Sequence, residues 1–194
     1  MKGEWCYYKS YFSKEWCNDI LNYFKNDDYN DSFIGQTNST LDKSFRSSEV
    51  VWLHQNNLTW DTVYKDIWTI QRRVNHEWFG FHIEGCEDIQ LSRYDGKNND
   101  WYGKHRDTFF MTENTHRKLS ASIQLTDPNE YEGGDLTMFD CDNYPDKDEI
   151  RQQGTIFFFP SFAFHQVNPV TRGVRTVSYT HLTLPTSGVV GVWG

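Results

Sequence analysis

The sequence predicts a mainly β fold of the α+β kind, an antiparallel sandwich or barrel flanked by N-terminal helices. Three observations predict it. Apolar residues recur at helical spacing twice within the first eighty positions. Beyond residue 80 the chain turns into short alternating segments separated by turn signals, with no helical stretch between them. A length of 194 residues, 17% of them aromatic, can bury one substantial core and is short for two. We therefore expect a single domain over 1–194, with a helical support region over 1–85, a barrel core over 86–178, and a tail over 179–194 treated separately below.

The first helix is expected after Ser13, an N-cap residue, because Trp16, Cys17, Ile20, Leu21 and Phe24 then fall at three- and four-residue steps. Glu49-Val-Val-Trp-Leu53 is a short strand by its β-branched content. Thr59 is the expected cap of a longer helix, with Trp60, Val63, Tyr64, Ile67, Trp68, Ile70, Gln71, Val74 and Trp78 carrying its apolar stripe. Strands then follow: Asp88-Ile-Gln-Leu-Ser-Arg-Tyr94, stopped by Asp95-Gly96; Leu119-Ser-Ala-Ser-Ile-Gln-Leu125, stopped by Asp127-Pro128; Asp135-Leu-Thr-Met-Phe139 after Gly133-Gly134; Thr155-Ile-Phe-Phe-Phe159 after Gly154; and Val174-Arg175-Thr-Val-Ser178. A run of strands of this kind forms antiparallel sheets, and the two helices cover one of them.

Charge and cysteine usage narrow the function classes. Nineteen basic against 27 acidic residues, a net charge of -8, disfavour a protein that grips a phosphate backbone, so nucleic acid is not the expected partner. Arg72, Arg73, Arg93, Lys104, Arg106, Arg117 and Lys118 are a local basic concentration, read first as a solvated face. Cys6, Cys17, Cys86 and Cys141 form no C-x-x-C pair and read as reduced thiols. There is no apolar leader and no stretch approaching the roughly 20 apolar residues of a membrane span. The expected setting is the cytoplasm, with no membrane partner.

One constellation carries chemistry. His105-Arg106-Asp107 sets two metal-ligand types two residues apart, which on a strand sends both side chains from one face. His165, just beyond the apolar strand at 155–159, supplies a second imidazole. Two histidines and one carboxylate make a facial triad, which leaves adjacent positions open on iron(II) for a chelating acid and dioxygen; zinc more often takes a fourth protein ligand. Arg175 lies ten residues after His165 on the next strand, and its planar guanidinium matches the far carboxylate of a 2-oxo acid held in the barrel. His82-Ile83-Glu84 is a rival pair without such companions. Gly133-Gly134 is a turn, since no G-x-x-x-x-G-K pattern follows it.

Five blocks in order carry a resemblance. Tyr94-Asp-Gly-Lys-Asn-Asn-Asp-Trp-Tyr102-Gly-Lys-His105-Arg-Asp107, the strand at 119–126, Tyr131-Glu-Gly-Gly-Asp-Leu136, Gly154-Thr-Ile-Phe-Phe-Phe-Pro160 and His165-Gln-Val-Asn-Pro-Val-Thr-Arg-Gly-Val-Arg175 together resemble the prolyl 4-hydroxylase-like Fe(II)/2-oxoglutarate-dependent dioxygenases, over roughly residues 88–178. The resemblance implies a double-stranded β-helix, or jelly-roll barrel. It also implies Fe(II) held by His105, Asp107 and His165, 2-oxoglutarate held by Arg175 with a hydrogen bond from Tyr94, and ascorbate as a supporting reductant. The implied reaction hydroxylates an unactivated C–H, such as that of a prolyl side chain in a protein or peptide, with release of succinate and CO2.

Trp101, Tyr102 and Gln124 are secondary candidates for the cavity wall. Substrate choice is expected to lie in the segments at 33–48 and 109–118, whose sequences carry no legible pattern. The rival readings are a jelly-roll module that binds without turnover, and an oxygenase acting on a small molecule or on nucleic acid. Retention of a co-substrate arginine beside the triad argues against the first, and the acidic balance against the last. The tail departs from the family: Tyr179-Thr-His-Leu-Thr-Leu-Pro-Thr-Ser187 resembles translated sequencing adapter, so residues 179–194 are expected not to be the protein's own, and no role is placed on His181.

Overall fold

The computed structural model describes residues 3–24, 28–32, 42–108 and 117–183. Among these, strands dominate. The larger sheet runs in the order β1 (Cys6–Tyr8), β10 (Ile156–Pro160), β7 (Arg117–Gln124), β12 (Val170–Thr183), β5 (Ile89–Asp95), β3 (Glu49–Leu53) and β2 (Asn30–Asp31), with β4 (Gly85–Cys86) and β8 (Tyr131–Gly133) paired to parts of β12. The smaller sheet orders β6 (Tyr102–His105), β11 (His165–Val167) and β9 (Leu136–Met138). Every pairing is antiparallel, as a jelly roll requires.

The period of two along each strand assigns its two faces. Ile89 and Leu91 of β5, Leu119, Ala121 and Ile123 of β7, and Ile156 and Phe158 of β10 share one buried cluster with the helices. The alternate residues Ser92, Tyr94, Ser120, Ser122 and Gln124 are also buried, on the opposite face, and they are polar. A polar inner face is the first sign that the barrel interior is built to hold something other than lipid-like side chains.

Two helices close the outer face. In α1 (Lys14–Tyr23), Ser13 accepts a hydrogen bond from the Trp16 amide, as its N-cap role demands, and Cys17 and Ile20 are buried. In α2 (Asp61–Val74) the stripe at Ile67, Ile70 and Val74 is fully packed. Each such side chain contributes roughly 1.5–3 kcal/mol by leaving water. The expected cap at Thr59 is displaced: Asn57 accepts from the Thr59 amide and opens a short 3-10 turn (Leu58–Trp60) before α2 begins. The helix also ends earlier than its apolar stripe, at Val74, where a π-helical turn (Asn75–Phe79) follows and Gly80 at φ 69 stops it.

Other differences are of long-range origin. β1 and β2, which were not expected, join the large sheet beside β3, the strand expected at 49–53, so the segment expected to serve as helical support supplies more strand than its pattern shows. The strand expected at 174–178 extends from Val170 to Thr183, pairing with β8 at one end and with β4 and β7 at the other. Residues 184–194 of the tail lie outside the described residues. Gly154 must be glycine, since a Cβ at its φ of 79 would sit 1.9 Å from the Phe12 carbonyl oxygen that packs over it. The four cysteines are free thiols, and no described helix is long and apolar enough to cross a membrane. Within the basic stretch, Arg72, Arg73, Lys104 and Arg106 are exposed, the last two lying against the Phe164 ring, while Arg93 pairs with Glu49 and Arg117 with Glu87.

Candidate active site

His105 ends β6 and His165 begins β11, and the two are direct cross-strand partners. Pairing of that kind puts both imidazoles on one face, here with ring centroids 4.2 Å apart. Asp107 arrives differently from the sequence expectation. It stands beyond the end of β6, in a bend, and its amide donates to the Ser161 carbonyl at 2.9 Å. That anchor turns the carboxylate back toward the histidines. Asp107 Oδ1 lies 3.6 Å from Nε2 of His105 and 3.6 Å from Nε2 of His165. Two donors at roughly 2.1 Å from a common ion can stand up to about 4.2 Å apart, so these spacings fit one cation. Among the described residues this is the only group of three such ligand atoms that close. His82 and Glu84, the rival pair, are exposed and 3.9 Å apart with no third ligand beside them.

The protonation states suit metal binding. His105 Nδ1 lies 2.7 Å from the Gly103 carbonyl and His165 Nδ1 3.1 Å from that of Ala163, so each Nδ1–H donates and each Nε2 presents its lone pair to the cavity. Burial pushes the His165 imidazole down to about 4, against the attraction of Asp107, which keeps it neutral near pH 7. Burial alone would raise the Asp107 carboxyl; the facing imidazoles of His165 and His181 and its hydrogen bonds hold it well below the usual carboxylate range. No proton needs to leave either group before a cation binds.

Ser120 escaped sequence reading because it looks like an ordinary small strand residue. Its hydroxyl donates to Asp107 Oδ2 at 2.6 Å and lies 2.9 Å from the Ser161 hydroxyl, leaving Oδ1 free toward the histidines. Ser120→Ala is expected to lower iron(II) or manganese(II) affinity by roughly 10–100-fold, the usual effect of losing an outer partner of a ligand, while Ser120→Thr retains most of it. Titration calorimetry of the metal-free variants checks this. His181 Nε2 also approaches Asp107, at 3.3 Å from Oδ2. It belongs to the stretch read as foreign sequence, and no ligand role is assigned to it.

The second half of the site is the barrel interior behind the triad. Arg175 on β12 is the direct partner of Tyr94 on β5, is 1% exposed, and donates through Nε to Gln124 Oε1 at 3.2 Å. Among the described residues its Nη1 has no hydrogen-bond partner, nor do the buried hydroxyls of Tyr94 and Tyr131. Burial pushes the Tyr94 phenol up, so it remains a neutral O–H donor. A buried guanidinium with spare donors, ringed by spare phenolic O–H groups, is complementary to a carboxylate. Gly134, expected only as a turn residue, also makes room: at its φ of 69 a Cβ would lie 2.9 Å from Arg175 Cδ. Gln124 thus joins the arginine, Tyr102 stacks on the His105 ring at 3.6 Å, and Trp101 stays half-buried with its amide on the Ser47 hydroxyl. The arrangement offers one cation site and one carboxylate site in a common barrel.

Known proteins share these features. The sequence profile of the 2OG-Fe(II) oxygenase superfamily matches residues 89–182. PKHD-type hydroxylases of Aliarcobacter butzleri and Stenotrophomonas maltophilia are 33% identical over 94 residues and 34% identical over 94 residues, each match covering 46% of this chain and 40% of the relative. The chain therefore matches less than half the length of these curated relatives. Among solved structures, a Pseudomonas putida prolyl-4-hydroxylase aligns with a TM-score of 0.71 at 16% identity, covering 93% of this chain and 92% of that one. A prolyl hydroxylase from Trichoplax adhaerens, solved with a hypoxia inducible factor peptide fragment, aligns with a TM-score of 0.74 at 14% identity, covering 93% and 84%. Residues 89–182, which carry the His-Asp-His cluster and Arg175, are thus similar to the 2OG-Fe(II) oxygenase superfamily, and the jelly roll that holds them is the fold of the solved prolyl hydroxylases.

Proposed function

We propose that this chain is a 2-oxoglutarate-dependent dioxygenase that hydroxylates an unactivated C–H of an amino-acid side chain, a prolyl one in a protein or peptide being the leading candidate, with release of succinate and CO2. The observation that carries the reading is the joint one: a two-histidine, one-carboxylate cluster in the same barrel as a buried arginine whose Nη1 has no hydrogen-bond partner among the described residues. In it, His105, Asp107 and His165 hold iron(II), and Arg175 holds the 5-carboxylate of 2-oxoglutarate with Tyr94 adding a phenolic hydrogen bond. Iron(II) chelated by 2-oxoglutarate supplies the oxidising chemistry when bound. The residues of the chain orient it: Nδ1 contacts fix the imidazoles, Ser120 fixes the carboxylate, and the apolar packing of Val167, Val170 and Val177 around Tyr94 keeps water from the co-substrate's far end. The choice of a prolyl substrate draws on the prolyl hydroxylases that share the fold, one of them solved with a peptide. Ascorbate as a supporting reductant and a cytoplasmic setting belong to the same proposal, as do a single domain over 1–194 and the foreign origin of 179–194.

Anaerobic titration of the protein with iron(II) and then 2-oxoglutarate tests the site. A weak visible charge-transfer band that needs both additions is the expected result. Its absence rejects the oxygenase reading in favour of a jelly-roll module that binds without turnover. Aerobic succinate release in the presence of prolyl peptides then tests the substrate class separately.

A further inference from the structure

Two arginines are buried in the described structure, Arg175 at 1% and Arg46 at 8% exposure, and neither forms an ion pair with a described carboxylate. The contrast with their neighbours is plain. Arg93, Arg117 and Arg151 are each satisfied by an acidic side chain, Glu49, Glu87 and Asp135. A guanidinium taken out of water without an anion is costly, and a site that tolerates the cost is usually one that an anionic ligand completes. For Arg175 the proposed function supplies that anion, the 5-carboxylate of 2-oxoglutarate. Arg46 remains unaccounted for.

Arg46 is held firmly and faces the reaction site. Its chain segment is pinned to β6, where the Gly103 amide donates to the Phe45 carbonyl at 2.8 Å and Arg46 itself bridges to Tyr102. Its guanidinium donates through Nε to the Ser48 hydroxyl at 2.8 Å and through Nη2 to that of Ser92 at 3.3 Å, both neutral groups. The Cζ atom lies 4.4 Å from the centre of the Tyr102 ring, the same ring that stacks on His105. Most directly, Arg46 lines a cavity whose wall also includes His105, Asp107 and His165. Neither serine hydroxyl neutralises the guanidinium and no described carboxylate pairs with it, so its charge remains for a ligand in that cavity.

We propose that Arg46 is a second carboxylate-binding residue of the cavity, distinct from Arg175. The carboxylate is that of an acidic substrate, or the 1-carboxylate of 2-oxoglutarate. The inference rests on the proposed function and narrows it: in the first case the enzyme selects peptides with an acidic residue near the one oxidised. Arg46 lies in the segment 33–48, where substrate choice is expected to reside.

The test uses Arg46→Gln and Arg46→Lys, both first checked for cooperative melting and unchanged iron(II) affinity. One arm titrates the iron(II) protein anaerobically with 2-oxoglutarate. The other follows succinate release with two acetylated, amidated tripeptides, Gly-Pro-Glu and Gly-Pro-Gln. If the co-substrate supplies the carboxylate, Arg46→Gln binds 2-oxoglutarate roughly tenfold more weakly than wild type or worse, and Arg46→Lys recovers part of the loss. If the substrate supplies it, 2-oxoglutarate affinity is unchanged, and the wild-type preference for the Glu peptide, roughly tenfold, disappears in Arg46→Gln. Should the glutamine variant fail to melt cooperatively, the lysine variant, which keeps the charge but loses the planar fork, carries the same two readouts. Equal behaviour of variant and wild type in both arms overturns the proposal. Failure of the wild type to bind iron(II) and 2-oxoglutarate at all is a separate result, and it removes the oxygenase reading on which the proposal stands.

Discussion

Replacing Asp107 with alanine is expected to abolish the iron-dependent visible band and all coupled 2-oxoglutarate consumption. The carboxylate is the only anionic member of the cluster, and its Oδ1 is the atom that lies 3.6 Å from both imidazole nitrogens. With it gone, two neutral imidazoles face a dication in a buried site and the charge balance of the centre is lost. Metal affinity should fall by more than the roughly 10–100-fold that losing an outer partner costs. Calorimetric titration of the metal-free protein with manganese(II) or iron(II) measures this directly, with a near-ultraviolet spectrum confirming that the tertiary fold persists. An Asp107→Ala protein that binds the metal as tightly as wild type would rule out the proposed ligand set.

The second large effect concerns Arg175. Arg175→Gln keeps a hydrogen-bonding side chain near Gln124 but removes the charge and the fork. Truncating one partner of a buried, hydrogen-bonded charge pair costs roughly 2–5 kcal/mol, so 2-oxoglutarate affinity should fall on the order of 30-fold to several thousandfold. Iron(II) affinity should be nearly unchanged, because Arg175 makes no contact with a ligand side chain. The two titrations together separate the roles: Asp107→Ala fails at the first addition, Arg175→Gln at the second. A variant that loses both equally would point to collapse of the barrel interior in place of a lost carboxylate contact, and one that loses neither would leave the co-substrate end of the proposal without support.

Much of the site is legible in the linear order because its members are chemically distinctive. His105, Asp107, His165 and Arg175 announce themselves by residue type and by their places near strand ends, and the structure gathers the first three around one point while setting Arg175 in the same barrel. Tyr94 is legible only through the resemblance, as the tyrosine eleven residues before His105, and it stands opposite Arg175 across a strand pair. Ser120, Tyr131 and Arg46 carry no such signal. A serine in an alternating strand, a tyrosine before a glycine pair and an arginine in a polar stretch are each ordinary in sequence. Their neighbours at the site are 13, 44 and 56 positions away, at Asp107, Arg175 and Tyr102 respectively.

Composition and periodicity alone pointed to two amphipathic helices and a set of antiparallel strands, and residue chemistry together with the five-block resemblance pointed to which side chains are candidates to hold a metal and a carboxylate. Those properties are local, written in spacing of 3.6 or 2 residues and in the donor atoms of single side chains. Tertiary structure decided the rest: that β1 and β2 complete the large sheet, that Asp107 sits past its strand on a contact to Ser161, that Gly134 clears a path for Arg175, and that Arg46 is buried beside the triad without an acid. Register and the approach of distant segments set these, and they depend on how whole faces pack against one another, a condition that no short window of the chain contains.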